Sequence, residues 1–181
     1  MKKTLNLVMA LSFVAAIFLC NDANAQSNDS KLRLDIGIDG LLPVGSFTNT
    51  VNFGLAVTPR LQYSVDNKFA LTFTSGFYHF FTKKIFITEG FGAGSSIEND
   101  LDIVPVKAGL KYLVLPNIYV AGEIGAGFEV EDGGGPVDLL LSPSIGYSKK
   151  NWDVGLRYEN LHGPYSSVGV LGLRVAYSFG L

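Results

Sequence analysis

The sequence predicts an all-β fold, an eight-stranded antiparallel up-and-down transmembrane β-barrel behind a cleavable export signal. Three observations carry this. Eight segments alternate apolar with small or polar residues at the period of a strand. Short polar turns alternate with longer links between them. Only 17% of the 181 residues are charged, while 21 are glycine and 12% aromatic, a low charge for a surface facing water.

The signal comes first. Lys2 and Lys3 make a positive n-region, Leu7 to Cys20 an apolar run broken only by Ser12, and Ala23-Asn24-Ala25 a small-x-small cleavage site. Residues 1–25 are therefore expected to leave, and residues 26–181 to form one β-barrel domain. Cys20, preceded by Leu19, does not sit in a lipidation context, and cleavage after Ala25 removes the sole cysteine, so disulfides, thiolate catalysis and Cys-ligated metals are excluded. Removing Lys2, Lys3 and Asp22 leaves 12 basic and 15 acidic residues, a formal charge of −3. Nothing in that balance points to nucleic acid.

The predicted strands are 31–42, 53–65, 68–81, 101–115, 118–130, 137–148, 151–161 and 168–180. Each is long enough to cross a hydrocarbon layer at a tilt, which takes about 9–11 residues. Asp66-Asn67, Pro116-Asn117 and Lys149-Lys150-Asn151 read as tight turns. Longer links fall at 43–52, 82–100, 131–136 and 162–167. Short turns at one end and long loops at the other match an outer-membrane barrel, with turns periplasmic and loops extracellular.

One parity of these strands is greasy: Ile36, Ile38, Leu55, Val57, Leu71, Phe73, Leu110, Ile124, Ile145, Val154 and Leu156, among others. The other carries Arg33, Asp35, Asp39, Arg60, Gln62, Lys107, Lys111, Glu123, Arg157, Glu159 and Arg174. A soluble lipocalin-like barrel would turn the greasy side inward; a membrane barrel turns it outward. The glycines favour the second arrangement. Gly37, Gly76, Gly109, Gly125, Gly127, Gly146, Gly155 and Gly172 share the charged parity, and the crowded interior of a narrow barrel needs them where a wet surface does not. The near-balanced charges on that face, less Gln62, are read as an internal polar network that holds the barrel shut. Tyr63, Tyr112, Tyr147, Trp152 and Phe179 cluster beside the short turns, where an interfacial girdle belongs.

The segments Ile103–Tyr112, Pro116–Gly127 and Gly172–Phe179 resemble the small outer-membrane β-barrel proteins of the Bacteroidetes type, the "porin family" or outer-membrane β-barrel domain. The resemblance spans essentially the whole mature chain. It implies residence in the outer membrane among its lipid and insertion by the barrel-assembly machinery. Such insertion signals often end in a terminal aromatic, whereas Phe179 is followed here by Gly180 and Leu181. It does not imply a pore, because eight strands enclose an interior just filled by side chains.

The chemical motifs are weak. Glu159, His162 and Ser166 or Ser167 have residue types suited to a triad, and some small outer-membrane barrels deacylate lipid A. The deacylase pattern places His and Ser two apart, however, while here Gly163-Pro164-Tyr165 separates His162 from Ser166. His79 among Phe77, Tyr78, Phe80 and Phe81 fits an outer aromatic belt better than a metal site. The 90–96 stretch lacks the lysine and helix of a phosphate-binding loop, and Glu131-Asp132-Gly133-Gly134-Gly135 lacks alternating calcium ligands. The expectation is a non-enzymatic barrel with no cofactor, whose structural or surface-interaction role resides in loops 82–100 and 43–52. The alternatives are a narrow solute channel, a lipid A-modifying enzyme and a soluble ligand-binding barrel.

Overall fold

A computed structural model describes residues 31–83, 85–87, 95–97, 100–130, 137–163 and 167–181; the signal segment, the 131–136 link and Ser166 lie outside them. Among the described residues there are eleven strands: β1 Leu32–Val44, β2 Val51–Ser64, β3 Phe69–Ser75, β4 Phe77–Thr82, β5 Ile85–Ile87, β6 Ser95–Ile97, β7 Leu101–Leu115, β8 Ile118–Glu129, β9 Val137–Lys149, β10 Trp152–His162 and β11 Ser167–Gly180. β5 and β6 form a separate two-stranded hairpin within the 82–100 link. The others make one antiparallel sheet in which β1 pairs with both β2 and β11, so the last strand closes on the first.

β3 and β4 are one wall of the barrel. Register is unchanged across the gap: Arg60 faces Thr74 and Val57 faces Phe77 on one edge, Ser75 faces Val106 and Tyr78 faces Ile103 on the other. Continuing that register sets Pro59 beside Ser75 and Pro105 beside Gly76. Proline cannot donate to a ladder, so both flanking strands lose hydrogen bonds where the strand is interrupted. The wall count is thus eight.

The turns match their chemistry. The Asp66 carboxylate accepts the backbone N–H groups of Lys68 and Phe69, both at 2.7 Å, which holds its pKa below the ordinary value. Pro116 and Asn117 alone separate β7 from β8. Lys150 takes a left-handed φ of 54° between β9 and β10.

Side-chain alternation sends the greasy parity outward. Ile38 is 65% exposed, Val57 54% and Trp152 58%, while Asp39, Arg174 and Glu159 on the opposite parity are buried. An outer wall this apolar is not a water-facing surface, and a closed ladder satisfies the backbone without solvent. The soluble lipocalin-like arrangement is therefore overturned. The aromatic girdle lies on this outer wall at the turn end: Trp152 meets Tyr177 edge-on at 5.4 Å, Tyr177 meets Phe179 at 4.9 Å, and Phe69 meets Tyr112 at 4.7 Å.

The 43–52 link is shorter than expected. β1 runs to Val44 and β2 starts at Val51, leaving a 3-10 turn over Gly45–Asn49. That turn folds Phe47 into the mouth of the bore, edge-on to Phe80 at 5.6 Å. There the inward residues cease to be polar, and Leu41, Val51, Ile103, Leu140, Leu161 and Val170 pack with Phe47 and Phe80 into an apolar plug.

Candidate functional site: a charge-balanced bore

Below the plug, alternate residues of β1, β2, β7, β8, β10 and β11 deliver charged side chains to one axis, and β3, β4 and β9 add Thr72, Thr74, Tyr78 and Ser142. Five buried cations, Arg60, Lys107, Lys111, Arg157 and Arg174, meet five buried carboxylates, Asp35, Asp39, Glu123, Asp153 and Glu159. Burying a charge is tolerable only when it is paired and hydrogen-bonded, and the contacts supply this for nine of the ten, while Asp35 keeps a buried Oδ2 with no hydrogen-bond partner among the described residues.

Tyr78 is the hub under the plug. Its hydroxyl donates to Glu159 Oε1 at 3.0 Å and accepts from Lys107 Nζ and Arg157 Nη2, each at 3.0 Å. Glu159 also pairs with the Lys107 ammonium and accepts the Ser142 hydroxyl at 3.0 Å. Arg157 Nη1 donates to Asp39 Oδ1 at 2.7 Å, and Asp39 Oδ2 accepts the Thr58 hydroxyl at 2.5 Å. Arg174 donates through Nε to Thr58 Oγ1 at 3.1 Å and through Nη2 to the Thr58 carbonyl at 3.0 Å. In the middle, Glu123 accepts from Thr72 and Thr74 at 3.0 and 2.7 Å and stands 3.4 Å from Arg60 Nε. Nearer the turns, Asp153 accepts from Lys111 at 2.7 Å and from Tyr119 at 2.8 Å.

Two glycine pairs make this crowding possible. A Cβ on Gly109 or Gly125 would stand 2.1 Å from the Gly122 carbonyl or 2.0 Å from that of Val106, so the backbones of β7 and β8 approach as only glycine permits. A Cβ on Gly146 or Gly155 would strike the Tyr119 ring at 2.4 Å or its hydroxyl at 2.7 Å. The Tyr119 ring lies across these two strands, and Lys111 Nζ sits 4.0 Å from its centroid.

Of the sequence-selected interior residues, Asp35, Asp39, Arg60, Lys107, Lys111, Glu123, Arg157, Glu159 and Arg174 are buried in the bore. Arg33 is apart from them: it lies at the turn end, donating to the Lys150 carbonyl at 2.7 Å. Asp153, Tyr78 and Tyr119 belong to the web beyond the residues expected from the sequence. Asp153 was the legible omission, since it shares the parity of Arg157 and Glu159. Tyr78 and Phe80 point inward and so leave the aromatic belt to Phe77 and Phe81; the alternation of β4 decides this.

The triad candidate is not assembled. Glu159 faces the bore, whereas His162 is exposed on the opposite parity, and Ser167 donates to Asn160 at 3.2 Å. His79 Nδ1 lies 2.6 Å from Asp102 Oδ1 and its Nε2 lies 3.7 Å from Asp100 Oδ2. No cluster of three or more potential metal ligands occurs among the described residues.

No protein-family model matches the sequence, and no curated protein matches it. Solved structures do. The chain is similar to Ail, the attachment invasion locus protein of Yersinia pestis, solved with the heparin analogue sucrose octasulfate (TM-score 0.56, 16% identity, covering 82% of this chain and 99% of that one). It is also similar to the N-terminal β-barrel domain of Pseudomonas aeruginosa OprF (TM-score 0.51, 11% identity, 81% and 97%) and to Neisserial surface protein A (TM-score 0.50, 12% identity, 84% and 98%). These likenesses define the class of fold, a small eight-stranded membrane-type barrel.

Proposed function

We propose that the protein is an integral outer-membrane β-barrel of the small Bacteroidetes type, without enzymatic activity, with a structural or surface-interaction role in the cell envelope. The observation that carries the reading is the inversion of the barrel, an apolar wall outside and a charge-balanced polar bore inside. The bore network acts as an internal strut, and the wall anchors the strut in lipid. Export on a cleaved 1–25 signal and insertion by the barrel-assembly machinery complete the reading. Similarity to Ail, an attachment invasion locus protein solved with a heparin analogue, supports a surface-interaction role, and loops held by a rigid scaffold are where such roles reside. The 82–100 link, long enough to carry the β5–β6 hairpin, is the main candidate, while the 43–52 link gives Phe47 to the plug and leaves Thr48, Asn49 and Thr50 exposed.

The plug also disfavours the channel alternative, since an apolar constriction above paired charges offers an ion neither water nor counter-charge. The test is fractionation of cells expressing the full chain, with a heat-modifiability gel. Recovery with the outer membrane, and a folded band that shifts on boiling, is expected. Recovery in the soluble periplasm without detergent would refute the reading.

A further inference from the structure

At the turn end the bore widens into a cavity of about 560 Å³, lined by Lys31, Arg33, Lys68, Lys111 and Lys150 with Asp66 as the one carboxylate. Among the described residues, this vestibule is not neutralised as the web above it is. Lys111 is committed to Asp153. Arg33 is held by a carbonyl rather than a carboxylate. Asp66 turns its Oδ1 to two backbone N–H groups. Among the described residues, none of Lys31, Arg33, Lys68 and Lys150 makes an ion pair with a carboxylate within 4 Å. Gln62, Ser64, Asn67, Asn117 and Ser148 add polar groups to the same wall.

We infer that this vestibule binds a multiply charged, phosphate-bearing anion. Four cations left unpaired around one concave space match a phosphate's several charges better than a lone carboxylate, and Arg33 offers a planar fork for two oxygens. The phosphate can come from a soluble compound or from a lipid headgroup at the adjacent membrane face. The site goes beyond the envelope role proposed above and does not depend on the compartment.

The test uses the complete mature protein in phosphatidylcholine nanodiscs, with pyrophosphate as probe in titration calorimetry. A second arm measures by native mass spectrometry whether phosphatidylglycerol is retained from mixed micelles. The variant is the triple Lys31→Gln, Arg33→Gln, Lys150→Gln, checked for folding by its heat-shifted band. Lys83→Gln at the loop end is the control. Saturable pyrophosphate binding that weakens about tenfold or more in the triple variant and stays unchanged in the control supports a soluble phosphate compound. Phosphatidylglycerol retention lost only in the triple variant, without pyrophosphate binding, supports a headgroup. Failure of both probes, or equal binding by wild type and triple variant, overturns the inference. Failure here leaves the fractionation result standing, so the two readings fall separately.

Discussion

Replacing Glu159 by alanine tests whether the bore is held by its charges. The carboxylate is fully buried and gathers the Lys107 ammonium, the Tyr78 and Ser142 hydroxyls at 3.0 Å, and the Arg157 Nε at 3.3 Å. Alanine deletes all four contacts and leaves five buried cations facing four carboxylates. Lys107 keeps Tyr78 and a carboxylate oxygen of Glu123 at 3.7 Å, and Arg157 keeps Asp39, so the remaining charge is partly shared. Breaking a buried pair from one side costs about 3–5 kcal/mol, and that is the expected loss. Trp152, the single tryptophan, reports unfolding in guanidinium with detergent micelles. The double variant Glu159→Gln, Lys107→Met restores charge balance, so it should lose less than the sum of the two single losses. A Glu159→Ala loss under 1 kcal/mol, or simple additivity in the double variant, would refute the strut.

Further outcomes follow from the same geometry. Arg174→Ala should lower stability by a few kcal/mol in the same assay, since it takes the guanidinium away from the Thr58 hydroxyl and carbonyl and from Asp153 at 3.7 Å; unchanged unfolding would remove Arg174 from the network. Gly125→Ala should block folding or cost more than about 3 kcal/mol, because its methyl meets backbone rather than a side chain that can swing away. Phe47→Ala should cost about 3–5 kcal/mol by emptying the plug, and wild-type protein in planar bilayers should show no steady conductance. At the Asp66 turn the folded pKa is lowered, so its stabilising effect is complete above the unfolded pKa and fades only as pH falls through the folded one. Protection of the Lys68 and Phe69 amides should therefore persist through the ordinary aspartate range and drop below it, and Asp66→Ala should weaken it wherever the wild-type carboxylate is ionised.

The alternation that exposed the strands in the sequence works because a strand's period is fixed by its backbone. Asp35, Asp39, Lys107 and Glu159 were visible for the same reason: a charge on the parity of Gly109 and Gly125 has only the bore to enter. What stayed hidden depends on position along the axis. Leu41, Leu140, Leu161 and Val170 share the parity of the charges, and parity says nothing about the depth at which the interior turns apolar. Phe47 was hidden because the 43–52 link reads as a loop until the fold of its five-residue 3-10 turn back into the bore is seen. The β3–β4 interruption needed the register, since Pro59 and Pro105 are remote from Gly76 in sequence and adjacent only across the ladder.

Contact between the outer wall and lipid is the central feature of the inverted barrel, and Trp152 on that wall reads it most directly. With the protein reconstituted in bilayers carrying bromine-labelled acyl chains, quenching of Trp152 fluorescence is predicted, strongest for bromines near the headgroup because the residue lies in the turn-end girdle, with little quenching by aqueous acrylamide. A tryptophan untouched by bromine at every depth would place that wall away from lipid and contradict the inverted barrel.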